Sequence, residues 1–421
     1  MRELWVRIAH TSGARIYTMV LGVVVLMITA RLLGPEGRGQ VAAIMTWVGL
    51  FSTFAYLSLG QVALHRMADD REQLRFGSLL GSLLLLTVVL SLSGWLVAIG
   101  IYVANPNGAF KGLPILPMVV GFIALPFYVW EHYGSSLLIG LEQIRIYNRY
   151  QVIGRTITFV CVVVLVGWIG LGVAGVLSAN FLGQVVVALG GMGFLFSVAR
   201  SKGLSCRPDK IQLKVLLVGG AKLHLNAIGT FLFTSANILI LNHYHGAEQT
   251  GHFQLATQLL NVLMVIPQAA SMVIYGKVTS LGPNGAWPIN RRLLMQITLG
   301  MTGLSVIAYL LAPWAIVLLA GEPFRPAVVL FQWMLAGLIG MTFSTVMAPQ
   351  WIGRGYFWQA AALTFFVGVV NLAANFWLIP EYGMWGATYA FLATYAFSIL
   401  GNGAMALHCQ SFQKPSGCKS K

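Results

Sequence analysis

Five cationic side chains interrupt stretches that are otherwise apolar: Arg15, Arg31, Arg155, Lys222 and Lys277. One carboxylate, Glu131, stands in such a stretch too, among Tyr128, Trp130, His132 and Tyr133. A cation withdrawn from water can pair an anion, and arginine does so through a planar fork of donors that fits a phosphate or carboxylate. Near the end of an apolar helix the same side chain has a second use, reaching along its stem to the polar headgroups. Asn180, Gln184, His224, Asn226 and Asn237 are neutral polar groups at comparable positions. They suit hydrogen bonds to a hydroxyl-rich ligand and equally suit bonds between helices. The aromatics offer faces for sugar rings, or serve as packing and interfacial anchors. His243, His245, Glu248 and His252 fall in one short stretch, but their spacing matches no zinc motif. No nucleophile–base pair, phosphate loop or nucleotide motif accompanies them, so neither catalysis nor a cofactor is expected.

The segments that hold these residues read as membrane spans. Of 421 residues 57% are hydrophobic and 9% charged, and the mean hydropathy is +0.78; a soluble domain is about one quarter charged. About twelve apolar runs are long enough to cross a hydrocarbon core as helices, which takes roughly 20 residues. They lie near 13–33, 40–60, 77–104, 114–139, 151–169, 172–198, 215–241, 253–276, 293–312, 326–347, 358–378 and 384–407. Their continuity excludes a barrel, whose strands alternate polar with apolar residues. The expected class is therefore an all-α polytopic membrane protein. The first run ends in a glycine-rich turn with no small-residue cleavage site, which reads as a retained start-transfer helix.

The chain repeats itself. Gly34, Glu36 and Gly39 recur 212 residues later as Gly246, Glu248 and Gly251, and the Gly172–Gly175 stretch recurs 211 residues later as Gly383–Gly386. A constant offset of half the length predicts two pseudo-symmetric six-helix lobes with a site between them. The boundaries read as an N-terminal lobe over 1–199, a linker over 200–214, a C-terminal lobe over 215–408 and a tail over 409–421. Gly203 and Pro208 break the linker, predicting a flexible strap. The glycines are expected to turn hairpins, with Glu36 and Glu248 at helix N-termini, where a carboxylate suits the dipole.

The net charge of +15 is spread over short loops and forms no single basic face, which argues against a nucleic-acid partner. It reports orientation instead. Basic residues gather around Arg66–Arg75, Arg145–Arg149, Arg200–Lys214 and Arg291–Arg292, whereas Arg38, Lys111 and Arg325 fall in the alternate set of loops. The positive-inside rule then places both termini and the linker in the cytoplasm. Of four cysteines, Cys161 falls in a span and Cys206, Cys409 and Cys418 in cytoplasmic segments, so no disulfide is expected.

Ala30-Arg31-Leu32-Leu33-Gly34-Pro35-Glu36-Gly37-Arg38-Gly39 resembles the first-helix signature of the bacterial polysaccharide flippases, the Wzx-type members of the multidrug/oligosaccharidyl-lipid/polysaccharide exporter superfamily. Asn237–Leu241 leading to Gly246 and Gly251, Gly321-Glu322-Pro323-Phe324, and Leu378–Gly383 with Gly386-Ala387-Thr388 are similar to later stretches of that family, in order along nearly the whole chain. The resemblance implies two lobes rocking about a cavity that moves a polyprenyl-pyrophosphate-linked oligosaccharide from the inner to the outer leaflet of the bacterial cytoplasmic membrane. Its implied partners are that substrate, membrane lipids and the polysaccharide polymerase machinery.

In that family the first and seventh helices line the cavity, so Arg15, Arg155 and Lys222 are the expected phosphate ligands, with Arg31 and Lys277 divided between cavity and headgroups. Asn180, Gln184, His224, Asn226 and Asn237 would hold sugar. Many relatives have an aspartate where this chain has Asn237, which cannot exchange a proton. Glu131 is thus the one candidate for ion coupling, against a structural pairing with His132 or a hydroxyl. Two other classes stand beside the lead: an ion-coupled multidrug exporter of the same superfamily, which needs buried acids, and a membrane polysaccharide polymerase or glycosyltransferase, which needs acids or a large outer loop.

Overall fold

The computed structural model describes residues 2–69 and 75–411; the side chains of 2–12, 15, 69 and 408–411 lie outside that description. The tail expected over 409–421 is therefore described only as backbone to Ser411, and Cys418 lies outside the described residues. Thirteen helices follow in order among these residues: α1 (Arg2–Tyr56), α2 (Leu59–Asp69), α3 (Phe76–Ala104), α4 (Ile115–Ile123), α5 (Leu125–Gly140), α6 (Ile144–Val162), α7 (Gly172–Ser201), α8 (Lys210–Thr234), α9 (Ala236–Leu263), α10 (Val265–Ala320), α11 (Pro326–Gly353), α12 (Phe357–Tyr382) and α13 (Met384–Ser411). A π-helical turn, Val163–Trp168, extends α6.

Among the described residues ten continuous helical segments are long and apolar enough to cross a membrane, and with the glycine breaks they make twelve passages. Gly34 (φ 66°, ψ −175°) divides α1, while Gly246 (φ 79°, ψ −175°) and Gly282 (φ 71°, ψ 164°) divide the run from α8 to α10 into three. A positive φ is open to glycine without the Cβ penalty. Pro35 and Pro283 restart the helix at once, because proline's fixed φ suits a first helical position that needs no N–H donor. The matched dihedrals of Gly34 and Gly246 are the sequence repeat written in the backbone. The spans are longer than the apolar runs, since helices continue through polar turns. The fourth is instead split at Ala124, where Pro126 supplies no N–H to a preceding turn.

Burial divides into two principal cores. One draws on residues from Val41 to Leu216 and is centred on Phe76, Leu80, Leu125, Trp130 and Tyr133. The other runs from Ile240 to Tyr395, centred on Phe253, Phe324 and Leu338, and takes in Leu26 and Ala30 from the first span. The chain before Gly34 thus packs partly with the second half, and the chain after it with the first.

The repeated turns meet each other. A side chain on Gly39 would overlap the Ala247 carbonyl and stand 2.9 Å from the Gly251 nitrogen; one on Gly251 would overlap the Pro35 carbonyl and stand 3.1 Å from the Gly39 nitrogen. Gly39 and Gly251 therefore join the halves, and only Gly34 and Gly246 turn the hairpins. Arg38, assigned by its charge to an exposed loop, is buried in this seam. Its guanidinium donates to Thr29 Oγ1 (3.0 Å), Gln254 Oε1 (2.7 Å) and Gln258 Oε1 (2.8 Å).

The linker is not a loose strap. Side chains on Gly77 and Gly81 of α3 would collide with the Ser205 and Cys206 carbonyls, so the linker lies directly on that helix. The Asp209 N–H donates to Ser82 Oγ (3.1 Å), and the Asp209 carboxylate caps α8 at the Gln212 N–H (3.2 Å). A cap of this kind contributes about 1 kcal/mol. Gly203 and Pro208 break the helix, as expected, but close packing then fixes the segment.

Candidate functional site

A cavity of about 950 Å³ lies between α1, α5, α6, α7, the first part of α10 and α11. Its polar lining is Thr18, Tyr128, Gln151, Arg155, Thr158, Asn180, Gln184, Gln268, Ser271 and Thr345. Arg155 stands 13 residues before Trp168, so helical rise places it roughly 20 Å inside the Gly34 end of the bundle. It reaches the cavity because Gly22 of α1 has no side chain: a Cβ there would sit 3.1 Å from an Arg155 terminal nitrogen. Among the described residues no carboxylate pairs with Arg155, and its side chain is exposed to the cavity.

Glu131 stands behind the cavity wall. Its two oxygens accept from Gln151 Nε2 and Gln184 Nε2, each at 2.5 Å. Gln151 is four residues before Arg155 and so shares its helix face. The carboxylate is therefore bound by two amides, and among the described residues neither His132 nor a hydroxyl hydrogen-bonds to it; the His132 ring packs on Tyr56 with ring centroids 4.2 Å apart. Tyr128 lies within electrostatic reach of both Glu131 and Arg155. Glu131 thus fixes the two glutamines that face the cavity while its own charge stays behind them, which leaves the cavity surface cationic.

The second half carries a counterpart of about 720 Å³, bordered by α2, α8, α11, α12 and α13. Gln151 and Arg155 line the first cavity, and Leu363 and Val367, each 212 residues further on, line the second. Duplication has produced two equivalent spaces whose chemistry differs. Lys222 and Asn226 belong to the second, not beside Arg155. Adjacent residues of α11, Ser344 and Thr345, border one cavity each, so a single helix separates them.

The remaining candidates have other surroundings. Arg15 lies in α1 with its side chain outside the described residues. Arg31 donates to the Leu318 carbonyl (2.5 Å) near the C-terminal end of α10, where a helix dipole favours a cation. Lys277 is exposed and lines neither cavity. His224 is buried with Nδ1 3.3 Å from Ser58 Oγ, against Tyr56 and Phe54. Asn237 is buried, its Oδ1 accepting the Ile238 N–H (2.9 Å) at the start of α9. Asn180 and Gln184 do line the first cavity. Trp130 and Tyr133 are core residues, leaving Tyr128 as the cavity aromatic of that cluster.

Gln151, Gln268, Gln61, Ser344 and Asn402 are lining residues that the amino-acid pattern does not single out. A signal exists for Gln151, one helical turn from Arg155. The rest come from helices that only packing brings together.

The fold is that of known transporters. The chain superposes on an inward-facing multidrug resistance MATE family transporter of the MOP superfamily with a TM-score of 0.77 and 17% identity, covering 95% of this chain and 96% of that one. Against the lipid II flippase MurJ in an inward closed conformation the TM-score is 0.74 at 11% identity, covering 94% and 87%. A MOP superfamily transporter from Pyrococcus furiosus gives 0.64 at 16% identity, covering 97% and 96%. No curated protein matches the sequence. The family model described as polysaccharide biosynthesis protein matches residues 4–275. With twelve helical passages and a match over most of its length, the chain is a multi-pass membrane protein of the polysaccharide biosynthesis family.

Proposed function

We propose that the protein is a flippase that moves a polyprenyl-pyrophosphate-linked oligosaccharide from the cytoplasmic to the outer leaflet by alternating access, without catalysing a reaction. Arg155, a guanidinium unpaired by any described carboxylate and open to a polar cavity deep in the bundle, carries this reading. Sugar hydroxyls and a pyrophosphate cannot cross hydrocarbon unaided, because unpaired burial costs several kcal/mol per polar group and far more per charge. A fork of donors in a hydrated cavity offsets that cost for the phosphates, and the prenyl tail can remain in lipid.

On this reading the linker end is cytoplasmic in the bacterial inner membrane, and the lobes 1–199 and 215–408 part at the Gly39–Gly251 seam to release substrate outward. MurJ bears the name of a lipid II flippase, and the family description names polysaccharide biosynthesis; both support this substrate class. An ion-coupled multidrug exporter is less well supported, because Glu131 already accepts from two amides and its charge is withdrawn from the cavity. Deleting the gene and measuring lipid-linked intermediates by mass spectrometry tests the proposal. Accumulation reversed by the wild-type gene, but not by an Arg155→Gln copy at equal membrane level, is expected. An unchanged lipid profile would reject it.

A further inference from the structure

The geometry points to the second cavity as a carbohydrate subsite that selects an acidic sugar, with Lys222 pairing its carboxylate. Three polar side chains at this cavity, Gln61, Lys222 and Asn226, are exposed and form no side-chain hydrogen bond among the described residues. Lys222 and Asn226 are four residues apart on α8 and so share a face. No aspartate or glutamate lines the cavity, so the ammonium charge is not neutralised within it.

The part of the lining from α11 and α13 is already ordered. Trp351 Nε1 donates to Asn402 Oδ1 (2.8 Å), Asn402 Nδ2 donates to the Ser398 carbonyl (2.8 Å), and the Ser344 and Ser398 hydroxyls lie 2.7 Å apart. Phe357 and Trp358 remain 63% and 68% exposed at the same cavity. Apolar ring faces beside uncommitted amides and fixed hydroxyls suit a sugar ring, which presents C–H faces and equatorial hydroxyls. Lys222 supplies one compact point charge, and beside uncommitted amides and ring faces the anion it can pair is the carboxylate that a sugar ring itself carries; the fork of Arg155 in the neighbouring cavity remains for the phosphates. With one helix between the cavities, the two ends of a single substrate can occupy both. The inference rests on the flippase reading for its biological ligand, but its test reads binding alone.

Saturation-transfer NMR on the full chain in lipid nanodiscs, with trigalacturonate, maltotriose and inorganic pyrophosphate as separate probes, decides it. Trigalacturonate should bind more tightly than maltotriose. Lys222→Gln should weaken trigalacturonate roughly tenfold, the scale of one hydrogen bond to a charged group, and leave maltotriose unchanged. Trp358→Ala should weaken both trisaccharides, and Arg155→Gln should weaken pyrophosphate alone. Asn226→Ala provides a second variant on the same wall, and gel filtration confirms that each variant is folded. Equal binding of the two trisaccharides, no binding of either, or loss of trigalacturonate in Arg155→Gln instead of Lys222→Gln would overturn the subsite. In each of those cases, accumulation of lipid-linked intermediates in the deletion strain would still stand for the export reading.

Discussion

Gly39 and Gly251, equivalent under the sequence repeat, face each other across the molecule: a side chain on Gly39 would overlap the Ala247 carbonyl and stand 2.9 Å from the Gly251 nitrogen, and one on Gly251 would overlap the Pro35 carbonyl and stand 3.1 Å from the Gly39 nitrogen. The seam closes only if both residues are glycine. Gly39→Val should therefore insert normally yet hold the two hairpins apart, reducing export at least tenfold. A cysteine at Gln254, partly buried behind the seam, should become reactive to a thiol reagent in that variant. Gly193→Ala is the control: no atom lies within 4 Å of the added carbon, and a helical glycine replaced by alanine gains roughly 0.5–1 kcal/mol.

Arg38 locks the same seam through three neutral oxygens. Hydrogen bonds to a charged group contribute about 1.5–3 kcal/mol each, and removing the cation strands Gln254 and Gln258. Arg38→Met should raise thiol accessibility at the seam and lower the thermal midpoint of the purified protein. Arg38→Lys should fall between, because an ammonium cannot reproduce the fork that spans Thr29 and the two glutamines. A thermal midpoint identical to wild type in Arg38→Met would remove the seam from the account.

For Arg155, glutamine retains length and hydrogen bonding but removes charge. Export should drop at least tenfold with membrane level unchanged, and lysine should restore it only in part. Full complementation by Arg155→Gln would mean that the cavity binds no anion through this residue.

Glu131 bears on energy coupling. Its carboxylate orients Gln151 and Gln184, so Glu131→Gln should disturb the wall and slow transport by roughly ten- to a hundredfold, the scale of one charged hydrogen bond, without abolishing it. If export is drawn by consumption of the flipped lipid, reconstituted vesicles should equilibrate substrate without an imposed gradient in wild type and variant alike. Wild-type flipping that strictly needs a proton or sodium gradient, and vanishes in Glu131→Gln, would assign coupling to this residue.

Orientation is open to labelling. Cysteines at Ser201, beside the linker, and at Asn107, between α3 and α4, are both exposed. In a background with the native cysteines replaced by serine, an impermeant thiol reagent applied to intact cells should modify only the second. The native Cys206 is partly buried in the linker, and burial pushes its thiol pKa up, which lowers its thiolate fraction. Labelling of Ser201→Cys in intact cells would invert the topology.

Apolar run length depends only on local composition, which is why the twelve passages are legible in the amino-acid sequence, and the left-handed glycines keep the repeat legible as well. Gly34 and Gly246 declare themselves in sequence because a positive φ restricts residue type at a single position. Gly39 and Gly251 carry the same letter for another reason, close approach between distant segments, and a sequence does not distinguish the two uses. Arg38 shows the limit most plainly. Its equivalent in the second half is Thr250, which donates to the Gly246 carbonyl at 2.8 Å, so the repeat gives no hint that a cation closes the seam. Likewise Arg155 and Lys222 read as one set of intramembrane cations. Only the packing of α11 between them, with Ser344 on one side and Thr345 on the other, assigns them to separate cavities, since which helix faces meet is fixed by contacts among segments hundreds of residues apart.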